Sequence, residues 1–148
     1  MFGKKDISND TFGPVRFING WQASERFEIT LWGRQYNVFI RATAIDKKEL
    51  ITTSQEKAFC IFSHSHDVYS ELIEHEISEH FPELSEEEKI KRFIPEEIVF
   101  ARDGSIGICI GDNEDEDCSV QPDADIAIQL YPNVVFYDSQ EQYLAFLD

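Results

Sequence analysis

The sequence predicts one α+β domain, in which a largely antiparallel sheet (an N-terminal meander and a C-terminal hairpin) packs against a long central helix and short helices. Alternating apolar and polar residues before residue 45 and after residue 97 are typical of half-buried strands. Between them, apolar residues recur every three or four positions, as in amphipathic helices. A chain of 148 residues without a Pro- or Gly-rich linker favours a single domain over residues 1–148.

The first 45 residues are predicted to form a β-meander with one apolar face. A short strand over residues 12–18 precedes Asn19-Gly20, and an Asn-Gly pair between apolar runs is a strong hairpin signal. Residues 27–31 alternate between apolar and polar side chains. A tight turn then leads into a further strand over residues 36–42.

The middle of the chain is predicted to be helical. Thr53 and Glu56 form a capping-box pattern in front of an apolar stripe. The stripe consists of Ala58, Phe59, Phe62, Tyr69, Leu72, Ile73 and Ile77. It falters over residues 63–67, where we expect the helix to break and restart with Asp67 as its N-cap. A second capping box at Ser85–Glu88 predicts a further short helix.

The last third is predicted to return to β-structure. Residues 98–110 contain Asp103-Gly104 between two apolar runs, a hairpin pattern. After an acidic loop, residues 126–130 alternate as a strand does, and residues 134–137 are expected to add another. Ser139 is expected to open a final short helix.

The charge of the chain is strongly negative and unevenly distributed. With 13 Lys and Arg against 29 Asp and Glu, the formal net charge is −16. Residues 1–66 sum to +2, whereas residues 67–148 sum to −18. Because such a charge repels phosphate groups at long range, it argues against nucleic-acid binding and electrostatic membrane docking.

The chain start and the cysteines predict a cytoplasmic protein. No apolar segment of a secretory signal follows Met1, and no window is long and apolar enough for a membrane helix. Three widely spaced cysteines do not suggest a disulfide framework. Cys60 and Cys109 lie in apolar runs and are predicted to be core residues, while Cys118 follows an acidic segment that disfavours its thiolate.

No catalytic residues and no cofactor are predicted. The chain has no Gly-x-Ser-x-Gly elbow and no Cys near a His in a known arrangement. The glycines of residues 104–111 lie within a predicted strand, and no Lys-Ser/Thr pair follows them to bind phosphate. We therefore expect a protein that is not an enzyme.

Four histidines between residues 64 and 80 raise the alternative of a metal-dependent hydrolase or metal-binding protein. The candidate ligands are His64, His66, His75 and His80. His75 and His80 are five residues apart, whereas two histidines sharing a metal on one helix face are four apart. The spacing favours surface roles, and the primary prediction is no metal.

The acidic second part indicates a protein that docks a basic partner. A surface whose charges are all of one sign increases the rate at which the protein encounters an oppositely charged protein. The predicted partner-binding residues are Asp112, Glu114, Asp115, Glu116 and Asp117, followed by Glu86, Glu87 and Glu88. Two alternatives stay open: the acids serve solubility alone, or the chain is a homodimer joined through a sheet edge or an exposed Trp21 or Trp32.

Several segments together resemble a small bacterial domain family of unknown function. They are Phe12-Gly13-Pro14-Val15, Asn19-Gly20-Trp21, the strand Phe27 to Leu31, the return Gly33 to Val38, the Thr-x-x-Gln segment Thr52 to Gln55 and the hairpin Ile98 to Ile110. The resemblance implies a stand-alone α+β domain without an assigned active site. Some members lie near polymorphic-toxin loci and are interpreted as immunity proteins, which implies a toxin as the basic partner.

Overall fold

The computed structural model describes residues 7–113 and 125–147. In these ranges, four helices accompany a mostly antiparallel open sheet of nine strands, which confirms the α+β fold class. None of the helices in the described ranges combines the length and apolarity that a membrane crossing requires.

The elements follow one another in the order strands, helices, strands, helix. The strands are β1 (Ile7–Asn9), β2 (Gly13–Phe17), β3 (Trp21–Ala23), β4 (Phe27–Leu31), β5 (Arg34–Ala42), β6 (Phe93–Phe100), β7 (Ile106–Asp112), β8 (Ile126–Tyr131) and β9 (Val135–Tyr137). The helices are α1 (Thr53–His64), α2 (His66–His80), α3 (Glu86–Arg92) and α4 (Gln140–Phe146).

The strand order is β1-β2-β3-β5-β6-β7-β8-β9, with β4 also paired to β5. Only β5 and β6 run parallel, because α1, α2 and α3 carry the chain across between them. The N-terminal strands differ from the predicted meander. The nine-residue β5 pairs with β4 over residues 34–38 and with β3 over residues 41–42. Two strands therefore form hydrogen bonds with different parts of β5.

The helix N-termini are set by side-chain caps. The first capping box is one residue earlier than predicted, since Thr52 is the N-cap and Gln55 completes the box. The reason is the burial of Gln55, whose Nε2 donates to the carbonyl oxygens of Thr43 at 2.9 Å and Phe100 at 3.0 Å. Gln55 thereby joins α1 to the ends of β5 and β6.

Replacing Gln55 with Ala is expected to lower the free energy of unfolding by about 2–3 kcal/mol, since a buried side chain and its hydrogen bonds are lost together. Chemical denaturation measures this change. Gln35→Ala is the control, because Gln35 is exposed on β5. Equal stabilities of the two variants would contradict the bridging role of Gln55.

The predicted helix break and second capping box are confirmed. Ser65 separates α1 from α2, and Asp67 lies in the first turn of α2 rather than capping it. Ser85 and Glu88 form the reciprocal cap of α3. The predicted long central helix is therefore two helices. Five residues of the apolar stripe are buried, namely Ala58, Phe62, Tyr69, Ile73 and Ile77.

The two faces of the sheet carry separate apolar clusters. Ile98, Phe100 and Ile108 belong to the large cluster that also contains the buried residues of α1 and α2. Because strand side chains alternate, Val99 and Cys109 face the other way, where they pack with Tyr143 of α4. Helices α2 and α4 consequently lie on opposite faces of the sheet.

Candidate functional site

The helices α2 and α3 carry a dense group of acids. Residues 67–88 contain nine Asp and Glu and no Lys or Arg. Seven of these acids are exposed and are here named the acidic helical surface: Asp67, Glu71, Glu79, Glu83, Glu86, Glu87 and Glu88. Glu74 has a different role, because its Oε2 accepts the backbone N–H of Trp32 at 2.8 Å and ties α2 to the β4–β5 turn.

The position of these acids follows from the buried stripe of α2. Tyr69, Ile73 and Ile77 are buried against the sheet. At about 100° per residue, Glu71 and Glu79 fall on the opposite side of the helix. Val68 lies on the same outer side of α2 as Glu71 and is 58% exposed. The exposed surface of α2 therefore contains an apolar side chain next to the acids.

Two of the nearby basic side chains, those of Lys89 and Arg92, bind other residues of the protein. Lys89 Nζ donates to Ser78 Oγ at 2.8 Å. Arg92 binds Asp112 through Nε at 2.7 Å and Nη2 at 3.1 Å. The guanidinium of Arg92 also lies over the ring of Phe81 at 4.7 Å. Two of the three cations of α3, Lys89 and Arg92, thus bind within the fold, whereas Lys91 and the seven acids are exposed.

Asp112 is placed differently from the expectation that it binds a partner. Its side chain is only 6% exposed and forms the two-bond pair with Arg92. Such a fork-to-fork pair satisfies the carboxylate. Asp112 therefore stabilises the junction of α3 and β7, and we leave it out of the docking surface. The predicted docking residues Glu114, Asp115, Glu116 and Asp117 lie outside the described residues.

The acids at the start of α3 are exposed, as a docking role requires. Ser85 Oγ accepts from the Glu88 backbone N–H at 3.2 Å, and Glu88 Oε1 accepts from the Ser85 N–H at 2.9 Å. These hydrogen bonds to Ser85 lower the pKa of Glu88, so its carboxylate stays ionised. Glu86 and Glu87 are exposed beside it.

The four histidines do not converge. The His64 ring lies beside the Cys60 carbonyl, and the His66 ring lies beside Asp67. The His75 ring lies beside Glu79, and the His80 ring lies beside Phe136. The His80 ring stacks on Phe136 with 3.9 Å between centroids, whereas His75 is exposed. Within residues 7–113 and 125–147, no group of three or more His, Cys, Asp or Glu side chains is arranged to hold a metal ion.

A second polar site lies on the opposite side of the sheet and was not found in the sequence. Arg41 Nη2 donates to Glu97 Oε1 at 2.6 Å, and both side chains are less than a fifth exposed. Burial raises the pKa of Glu97, and the charge of Arg41 opposes that rise. The pairing register shifts between Pro95 and Glu97, and this bulge turns Glu97 away from the large core.

The cysteines occupy different environments. Cys109 is buried as predicted, and burial raises its pKa to about 12. Cys60 is exposed, contrary to the prediction, because Ala58 and Phe62 on either side of it point into the core and leave Cys60 on the outer side of α1. The local apolar run did not reveal which side of the helix Cys60 occupies.

In a Cys118→Ser protein at pH 8, Cys60 is expected to react with a thiol reagent more than about a hundredfold faster than Cys109, since little Cys109 is thiolate. Absorbance of the released thiolate reports both phases. Adding Cys60→Ser should remove the fast phase alone. Two fast phases in the folded protein would contradict the burial of Cys109.

Comparisons of the chain with protein-family models, curated proteins and solved structures gave no match. The resemblance to the bacterial domain family stays a prediction. The acidic helical surface is therefore interpreted from its own charge and exposure.

Proposed function

We propose that this chain is a non-catalytic binding protein whose acidic helical surface docks a basic partner protein. The observation that carries the proposal is the excess of exposed acids over exposed Lys and Arg side chains in residues 67–92, where Lys91 is the exposed cation. Seven acids are exposed, while Lys89 and Arg92 bind Ser78 and Asp112. A surface of one sign raises the rate of encounter with an oppositely charged protein and disfavours other partners.

Val68 supplies an apolar contact within this surface. Interfaces are commonly anchored by apolar side chains that become fully buried, with polar and charged groups around them. Val68 is 58% exposed, and Glu71 follows it by one helical turn. The partner expected here presents Lys or Arg side chains around a small apolar depression.

An immunity-type role is the form of this proposal that the family resemblance suggests. Such a protein neutralises a cationic toxin by occupying its basic surface and needs no reaction of its own. Cys60 is exposed and forms no disulfide with another residue in the part of the chain that the structure describes; this favours a reducing compartment, and we place the protein in the cytoplasm.

Co-expression with the products of the flanking reading frames tests the proposal. The chain is captured at about 50 mM and at about 500 mM salt, conditions that differ strongly in charge screening. A basic neighbour that is retained at low salt and released at high salt is the expected result. If no basic neighbour is retained at either salt concentration, the docking role is contradicted and solubility is the simpler explanation of the acids.

A further inference from the structure

A cavity of about 430 Å³ lies at the end of β5, on the side of the sheet that carries α4. It is separate from the acidic helical surface. The residues that line it are Asn19, Arg41, Thr43, Ala44, Ile45, Leu144 and Leu147. One part of its wall is thus polar and the other aliphatic, the arrangement found in pockets for small amphiphilic molecules.

Two polar atoms of the residues that line the cavity lack hydrogen-bond partners in the part of the chain that the structure describes. Arg41 Nη1 donates to the Asn19 carbonyl oxygen at 3.0 Å, and Nη2 donates to Glu97. Arg41 Nε and Thr43 Oγ1 are buried and have no hydrogen-bond partner among the described residues. Buried polar atoms without partners are rare in native structures, and a bound molecule is one explanation for them.

The guanidinium is held in place before any ligand arrives. Its bonds to Asn19 and Glu97 come from the β2–β3 turn and from β6, so two neighbouring elements fix it. A fixed, planar donor group suits a carboxylate, which accepts two parallel hydrogen bonds from Arg. Because Glu97 offsets the charge of Arg41, a ligand here is held by directed hydrogen bonds rather than by net charge, and a monoanion is repelled less by Glu97 than a dianion such as phosphate.

We propose that this cavity binds a small organic carboxylate with a short aliphatic tail. The carboxylate accepts hydrogen bonds from the Arg41 guanidinium and the Thr43 hydroxyl, and the tail packs against Leu144 and Leu147. Both polar atoms are shielded from solvent, so the proposed binding includes a small shift of the side chains that line the cavity. Ile45 is 77% exposed and is therefore the least constrained part of the wall. This inference does not depend on the proposed protein partner.

Titration of the full chain with hexanoate, followed by NMR, tests the proposal. Hexanoate is expected to shift the Ala44, Leu144 and Leu147 methyl signals saturably. Hexanamide, which has the same tail and no charge, is expected to bind at least about tenfold more weakly, since charge-assisted hydrogen bonds to Arg are lost. Absence of saturable shifts at these methyl groups, or equal affinity for the two molecules, would overturn the proposal.

Two variants leave the Arg41–Glu97 pair intact and locate the binding. Thr43→Val removes the unpartnered hydroxyl and is expected to weaken hexanoate binding by about three- to tenfold, the net effect of one hydrogen bond. Ala44→Phe fills the cavity and is expected to abolish binding. Thr30→Val, at an exposed position of β4, is the matched control. Unchanged binding by folded Ala44→Phe protein would place hexanoate elsewhere and overturn the proposal.

Discussion

Replacing Gly107 with Ala is expected to lower the free energy of unfolding by about 3 kcal/mol, at the upper end of the usual cost of overpacking. Gly107 lies in β7 beneath α4, and a Cβ added there would overlap the hydroxyl and ring carbons of Tyr143. Tyr143 is fully buried, with its ring 5.2 Å from that of Tyr137. The ring packs against Val99, Cys109 and Ala127, so we expect α4 to shift from the sheet to accommodate the added methyl group.

Gly111→Ala is the matched control for this prediction. Gly111 lies on the same strand and the same face, but its added Cβ would meet the end of the Glu96 side chain at 3.1 Å. Glu96 is exposed, so its carboxylate can move at little cost, and a change within about 0.5 kcal/mol is expected. Chemical denaturation measures both variants.

The size of the Tyr143 side chain provides a second test of the same contact. Combining Gly107→Ala with Tyr143→Leu should cost less than the sum of the two single changes, because the overlap is removed. If Gly107→Ala is as stable as Gly111→Ala, the position of α4 on the sheet is contradicted.

Neutralising four acids of the acidic helical surface is expected to slow association with a basic partner by about 10- to 100-fold at low salt, since electrostatic steering is reduced. The changes are Glu71→Gln, Glu79→Gln, Glu83→Gln and Glu87→Gln. All four side chains are exposed, and the ion pair of Glu79 with His75 at 3.4 Å lies in solvent and contributes little stability, so the fold should be retained. Stopped-flow mixing with the captured partner measures the rate.

A second variant separates local steering from total charge. It changes four exposed acids elsewhere, by the substitutions Asp10→Asn, Glu25→Gln, Glu28→Gln and Asp46→Asn. The net charge rises equally in the two variants, yet the second should slow association by less than about threefold, because charges far from the contact are screened. Equal slowing would mean that total charge alone acts, and the acidic helical surface would lose its special role.

Features that depend on neighbouring residues were predictable from the sequence. The apolar stripe from Ala58 to Ile77 gave the helices and their buried side, and Asp103-Gly104 marked the β6–β7 turn. These signals are local because helix periodicity and turn conformation are set within a few residues. The exposed acids Glu86, Glu87 and Glu88 were found by the same local reading of a capping box.

Features that depend on distant pairing were not predictable. Arg41 and Glu97 meet because β5 and β6 run parallel and a bulge turns Glu97 away from the core. Asp112 looked like part of an acidic loop, but its pairing with Arg92 depends on β6 and β7 lying side by side. Counting charged residues along a sequence does not show which acids form ion pairs with Lys or Arg residues of the same chain.

Mapping the interface of the complex by NMR tests the central claim most directly. The isotope-labelled chain is mixed with the captured basic partner, and the perturbed amide signals are assigned. Perturbations concentrated over residues 67–88, with Val68 among the strongest, are the predicted result. Perturbations confined to the sheet edges or to the α4 side, with residues 67–88 unchanged, would contradict docking through the acidic helical surface.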